Sequence, residues 1–261
     1  SYGSAEETFG QIMKSSFAPY RDELFISTKA GHDMWPGPYG NWGSRKHLMA
    51  SLDQSLKRMN LDYVDVFYSH RYDPETPLEE TLQALVDIVR EGKALYVGLS
   101  KYPLDAYLFA CRYLKERDVP CLLYQGRYSM LVREPESQGI LNAVKESGSG
   151  FVAFSPLAQG LLTNRYLNGI PDDSRIARGG FLKKEALTPE VLNKIQALNE
   201  RAAMRGQSLA EMALAWLLKN ETVTSVIVGA SSVEQLGDSL KTLNHLSFEE
   251  EELHAIEKIL M

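Results

Sequence analysis

Six short runs of β-branched, aromatic and aliphatic residues recur along the chain, each parted from the next by helix-patterned sequence, and this alternation limits the fold more than any other feature. The runs are Leu24–Lys29, Tyr63–His70, Ala94–Ser100, Cys121–Gln125, Gly150–Ser155 and Thr224–Gly229. Strands that are apolar throughout, rather than on alternate residues, are covered on both faces, which is the condition of a parallel sheet with helical crossovers. Two architectures satisfy it: the doubly wound sheet and the closed (β/α)8 barrel. A doubly wound dinucleotide fold carries a glycine-rich turn, G-x-G-x-x-G, between a strand and its helix, and none of the turns here has it. The sequence therefore predicts an α/β fold of the TIM-barrel kind. Eight strands are needed and about six are visible, so the expectation is one barrel domain over residues 1–261 whose first strands lie outside the chain.

The intervening segments read as amphipathic helices. Phe9, Ile12, Met13 and Phe17 fall at helical spacing within 3–17, with Glu6 and Glu7 at the positive end of the dipole. Ser44 is placed to cap a helix whose Leu48, Leu52, Leu56 and Met59 form a core-facing stripe. Pro77 suits the first turn of the next, with Leu78, Leu82, Leu85 and Val89 inward and Gly92 as its stop. Further helices are predicted over 103–118, 138–147, 189–204, 208–219, 233–243 and 248–260. The segment 156–188 has no period and contains turn signals, which marks it as a lid or cofactor-covering loop.

A net charge of −6 with scattered Lys and Arg argues against a nucleic-acid surface and for a small-molecule partner. Cys111 and Cys121 lie in apolar surroundings, without the spacing of a zinc or redox motif, and read as buried thiols of a reducing cytosol. With neither a run of about 20 apolar residues nor a signal-peptide pattern, the expected location is the cytoplasm.

In a parallel barrel the site forms at the carboxyl ends of the strands. Read off in order, those ends carry Lys29, His70, Ser100, Gln125, Phe154 with Ser155, and the turn Gly229–Ser232. Taken singly, Lys29 reads equally as a strand-end lysine keeping its ammonium in water, and His70 as a packed histidine. Polar residues ending successive apolar strands point instead to a shared pocket.

Several of these stretches are motifs. Tyr2-Gly3, Ser27-Thr-Lys29-Ala-Gly31, Leu61-Asp-Tyr-Val-Asp65 with His70-Arg71, Gly98-Leu-Ser100, Phe154-Ser-Pro-Leu157, and Val228-Gly-Ala-Ser231 with Gln235-Leu236 resemble, in order and over essentially the whole chain, the aldo-keto reductase family. Asp33-Met-Trp-Pro-Gly-Pro-Tyr39 followed by Gly43-Ser-Arg-Lys46 is similar to that family's bacterial reductases of L-glyceraldehyde 3-phosphate and methylglyoxal, with the potassium-channel β subunits as a neighbouring branch.

The resemblance implies a barrel that reduces small aldehydes or ketoaldehydes by hydride transfer from a nicotinamide dinucleotide. Of the family's Asp-Tyr-Lys-His tetrad, it assigns the proton-donating tyrosine to Tyr2, the lysine to Lys29 and the histidine to His70, while the aspartate's position precedes Ser1. An ordinary phenol, with a pKa near 10, gives up its proton too reluctantly at neutral pH, and an adjacent ammonium eases that step. Ser100 and Gln125 are assigned to the nicotinamide carboxamide and Phe154 to its ring; Ser155, Leu157 and Gly160 to the pyrophosphate; Arg175, Ser231, Ser232 and Gln235 to the adenosine end. The implied cofactor is NADPH, and the neutral Ser232, where many relatives place a base, leaves NAD open. Trp35 and Arg71, with Trp42 and Tyr72 nearby, are expected at the substrate mouth, and no metal is expected. A homo-oligomer, tetramer or octamer, is implied as well. The alternative function is a redox-sensing, nicotinamide-binding regulatory subunit like the channel β subunits, which carry asparagine where this chain has His70.

Overall fold

The computed structural model describes residues 2–167, 169–171, 179 and 184–261. Arg175, and much of the segment expected to act as a lid, lie outside the described residues. The chain divides into two compact units, Ser1–Gln125 with Asn142–Gly150, and Gly126–Leu141 with Phe151–Met261.

The first unit alternates α1 (Ser4–Ile12), β1 (Ser27–Ala30), α2 (Arg45–Met59), β2 (Val64–Ser69), α3 (Leu78–Arg90), β3 (Ala94–Ser100), α4 (Leu104–Lys115) and β4 (Cys121–Arg127). Strand β1 pairs with β2, β2 with β3 and β3 with β4, all parallel. Sequential parallel pairing through helices, with no reversal of strand order, is barrel connectivity rather than the doubly wound order. The α/β class and the parallel strands are as the alternation predicted.

The core follows the predicted stripes. Leu48, Leu52, Leu56 and Met59 of α2 are buried, as are Leu82 and Leu85 of α3, where Ile88 rather than Val89 completes the inward face. All six residues of β2 are buried, its two polar ones included. Ser69 shares a hydrogen bond with the Tyr102 hydroxyl at 2.9 Å, and Asp65 accepts from the Ile26 backbone N–H at 2.7 Å. Ser44 caps α2 by accepting from the His47 N–H, as its position suggested.

The helix expected over 3–17 departs from the pattern. It is α-helical only to Ile12, widens into a π-helical turn over Met13–Phe17 and tightens into a 3₁₀ turn over Ala18–Glu23. Pro19 cannot continue the ladder, and the Ser15 hydroxyl turns back to the Ile12 carbonyl at 3.4 Å, so the apolar spacing alone overstates the helix.

The second unit contains α5 (Glu134–Ser137), β5 (Gly150–Phe154), α7 (Pro189–Met204), α8 (Leu209–Leu218), β6 (Val223–Val226), α9 (Val233–Lys241) and α10 (Glu250–Leu260), while α6 (Ile140–Glu146) begins in it. Strands β5 and β6 pair in parallel. Helix α8 is apolar nearly all round and buried from Met212 to Leu217, and a capping box of Ser208 and Glu211 fixes its start. Among the described residues no helix is long and apolar enough to cross a membrane.

Candidate active site

Strand register delivers the first group of candidate residues. Lys29 stands beside Tyr68, Tyr68 beside Gly98, and Ser100 beside Gln125. The Lys29 ammonium donates to Gln125 Oε1 at 2.7 Å, joining β1 to β4. Three strand spacings amount to about 14 Å, so the two side chains meet end to end across the intervening strands. Burial raises the proton affinity of the Tyr68 hydroxyl, and the Gln125 side chain opposes that rise. Gly98 makes room for that tyrosine: a Cβ there would lie 2.3 Å from the Tyr68 ring and 3.1 Å from the Leu123 carbonyl.

His70 follows β2 and is held by its backbone N–H donating to the Ala30 carbonyl at 2.9 Å. The His32 ring meets it edge-on at 4.4 Å between centroids. Arg71 donates to the Gly31 carbonyl at 2.7 Å and to Asn41 Oδ1 at 2.8 Å, and its guanidinium lies 3.7 Å from the centre of the Trp42 ring. It therefore ties the glycine-, proline- and tryptophan-rich loop to the strand end. Trp35 packs 5.0 Å from the ring of His47, a fully buried residue whose Nδ1 donates to the Tyr39 carbonyl. Tyr72 packs edge-on against Tyr102.

Positive charge accumulates here. Lys29 is an exposed residue overall, but its ammonium ends on the buried Gln125, so lost hydration and the neighbouring Lys101 lower its proton affinity. Burial and then Arg71 do the same to Lys101. His32 is lowered by burial, Arg71, Lys101 and Lys29 against the opposing pull of Asp33. His70 is pushed down to about 3, by burial first and then by Lys29, His32, Lys101 and Arg71. At neutral pH it is an uncharged imidazole with one donor and one acceptor nitrogen.

That shift has a consequence for folding. Unfolded, His70 takes up its proton near pH 6.5; folded, only near 3, so between those values the unfolded chain binds more protons. The stability His70 contributes is complete above about 6.5 and is lost as the pH falls towards 3. Melting curves of the wild type and a His70→Gln variant should diverge across this window, the variant losing stability less steeply on acidification. Parallel curves would refute the assignment.

Ser100 is fully buried, and its hydroxyl has no hydrogen-bond partner among the described residues. A buried hydroxyl left unpaired is costly, and one at a strand end beside Gln125 suits a polar group arriving from outside, such as a carboxamide.

Lys29, His70, Ser100 and Gln125 are thus gathered by the first unit. Tyr2 is placed apart from these contacts. It is 72% exposed, in a left-handed turn before α1, and Gly3 beside it packs against the Arg58 side chain. In the second unit, Phe154 ends β5, followed by a turn in which Ser155 and Gly160 have positive φ and Gly160 donates to the Leu157 carbonyl at 2.8 Å. Ser231 donates through its backbone N–H and its hydroxyl to Gln235 Oε1, and Ser232 caps α9. Tyr68, His32 and Lys101 were not singled out from the sequence, and Gly98 was quoted only as part of a motif. Tyr68 could have been, since it lies two residues before His70 on the same side of the strand.

Comparison with known proteins identifies the family. The aldo/keto reductase family model matches residues 1–261. The chain is 56% identical over 261 residues to the L-glyceraldehyde 3-phosphate reductase of Escherichia coli O157:H7, covering 98% of this chain and 75% of that protein. It is 54% identical, at the same coverage, to the protein of that name from Escherichia coli K12. At 36% identity over 248 residues it is also similar to a probable voltage-gated potassium channel subunit beta of Arabidopsis thaliana, covering 93% of this chain and 74% of that one.

Proposed function

The chain belongs to the aldo/keto reductase family and is an oxidoreductase, and from that premise we propose that it reduces small phosphorylated aldehydes of the glyceraldehyde 3-phosphate type, using NADPH. The observation that carries the substrate class is the positive field at the end of β1 to β3. There Lys29, His32, Arg71 and Lys101 depress the proton affinity of His70 or of one another, and Asp33 opposes them at His32. A site that resists further positive charge favours an anionic substrate.

The cofactor reading is supported by Ser100 and Gln125, a buried unpaired hydroxyl beside an amide, which together suit a carboxamide. When bound, the reduced nicotinamide supplies the hydride. The remaining work falls to the chain. His70, uncharged, donates one hydrogen bond to the carbonyl oxygen and orients it; Lys29, aimed by Gln125, provides positive charge as negative charge develops on that oxygen. Tyr2 is assigned the proton donation through its motif. Ser155, Leu157 and Gly160 are proposed at the pyrophosphate, and Ser231, Ser232 and Gln235 at the adenosine end.

A methylglyoxal-like ketoaldehyde belongs to the same proposal as a weaker substrate. Cytoplasmic residence rests on the sequence pattern, and a tetrameric or octameric state on the family resemblance. The regulatory-subunit reading is less favoured, since identity to the reductases is 54–56% against 36% for the channel subunit.

Steady-state oxidation of NADPH tests the proposal. L-glyceraldehyde 3-phosphate should exceed unphosphorylated glyceraldehyde in kcat/KM by about tenfold or more, the worth of one charge-assisted contact. Equal efficiency would remove the phosphate preference, and no NADPH oxidation with either, or with methylglyoxal, would remove the reductase assignment.

A further inference from the structure

Arg71 carries a charge that the chain itself does not neutralise. Among the described residues no carboxylate pairs with it, and Asp73, two residues on, is committed to the backbone N–H groups of Gly43 and Glu75 at 2.9 Å and of Thr76 at 3.2 Å. The guanidinium is nonetheless fixed in place. Its Nε–H and one Nη2–H, which share an edge of the planar group, donate to the Gly31 carbonyl and to Asn41 Oδ1, and the Trp42 ring covers one face. The Nη1 end, with the second Nη2–H, has no hydrogen-bond partner among the described residues, and the residue is only half-buried, so that end can be reached from outside.

The turn that holds it is strained. Trp42 has a φ of 69°, the left-handed region that a bulky side chain occupies only when its surroundings impose it. Three contacts do so. Asn41 Oδ1, the oxygen that receives Arg71, also accepts from the Trp42 N–H at 2.8 Å; Gly43 donates to the buried Asp73; and the Thr81 hydroxyl donates to the Gly43 carbonyl at 2.7 Å. Glycine or asparagine would complete such a turn at little cost, so a tryptophan there is explained by where its ring goes, onto the guanidinium. Stacking and the Asn41 contact leave the cation one open donor edge. That edge belongs to the neighbour of His70, and both residues flank Gly31: Arg71 donates to its carbonyl at 2.7 Å, and a Cβ on it would lie 3.2 Å from the His70 Cβ.

We propose that the open end of Arg71, stacked on Trp42 and aimed by Asn41, is the subsite for the phosphate monoester of the substrate. A phosphate offers paired oxygens that match the guanidinium fork, and a planar donor that is always charged holds them in two parallel hydrogen bonds. With the aldehyde oxygen at His70, the phosphate of a three-carbon substrate finds its partner one residue further along the chain. The inference rests on the proposed reduction of phosphorylated aldehydes and deepens it, since it makes Arg71 the residue that sets the preference for the phosphorylated substrate.

Two measurements test it, one of them without turnover. Phosphorus NMR line broadening of glycerol phosphate, the product such a reduction would give, reads binding; kcat/KM for L-glyceraldehyde 3-phosphate against glyceraldehyde reads its use. Arg71→Met should abolish the broadening and bring the two substrates from about tenfold apart to within about twofold, chiefly through the KM of the phosphorylated one. Asn41→Ala keeps the charge and releases its aim, so it should lose part of the same ratio even if Arg71→Met does not fold. Equal losses with both substrates would make Arg71 a strap of the loop and overturn the proposal. Broadening that survives in folded Arg71→Met would also overturn it, as would weaker NADPH binding, read by tryptophan fluorescence quenching, with glycerol phosphate binding unchanged, which would give the subsite to a phosphate of the dinucleotide. Failure of the reductase reading shows itself separately, as no NADPH oxidation by the wild type with any aldehyde, and the broadening then decides the subsite.

Discussion

Replacing Lys29 with methionine is expected to lower kcat by about three orders of magnitude, within the range that positioned acid–base and electrostatic groups contribute. Methionine keeps much of the side-chain length while removing the charge and the donor to Gln125 Oε1. The lost ammonium is the group placed to stabilise charge on the carbonyl oxygen and, through the Tyr2 assignment, to ease proton transfer. Lys29→Arg should not restore the rate, because a guanidinium stays protonated and its planar fork does not reproduce a single Nζ contact. Tyr2→Phe should be comparably slow. If the two residues act as a unit, the double variant will be little worse than either single one. NADPH oxidation measures the effect, and melting temperatures within a few degrees of wild type would show that the fold is intact. Retention of more than a tenth of the wild-type rate in folded Lys29→Met would rule out this role.

What the sequence disclosed of this site follows from where strands end. Lys29, His70, Ser100 and Gln125 each lie at or beside the close of an apolar run, so a parallel fold was enough to nominate them. The register that brings them together was not readable, because β-branched and aromatic residues look alike whichever neighbour they face. Tyr68 was hidden in this way, passing for ordinary strand sequence, and the Gly98-Leu-Ser100 motif did not disclose that Gly98 leaves space for the Tyr68 ring. His32 and Lys101 sit just beyond strand ends, and their meaning depends on the fields of Arg71 and Lys29 across the sheet. The helical stripe of α2 was legible because its period is local. The early end of α1 turned on one proline and one serine hydroxyl, which apolar spacing does not record.

Asp65→Ala should be the most destabilising of the substitutions considered, by about 3–5 kcal/mol, the usual loss when a buried ion pair is broken from one side. Asp65 Oδ2 accepts from the Ile26 N–H at 2.7 Å and from Arg21 at 3.0 Å, with side chains 10% and 15% exposed. Arg21 also donates to the Leu24 and Tyr63 carbonyls and lies over the Tyr63 ring, so it cannot follow a lost partner into water. Alanine would leave a near-buried cation uncompensated and a strand N–H unpaired. At about 2–4 °C per kcal/mol for a chain of this size, the melting temperature should fall by roughly 6–20 °C. Arg21→Met in the same chain should recover part of the loss, since removing both charges costs less than stranding one. The same clamp fixes register, because Asp65 and Val66 both donate to the Ile26 carbonyl at the entry to β1. A slip of one residue there would turn Lys29 to the opposite face, away from Gln125. Activity lost in proportion to the unfolded fraction would assign Asp65 to stability alone. Activity lost in excess of it, measured well below the melting transition, would show that the buried carboxylate also sets the strand that presents Lys29.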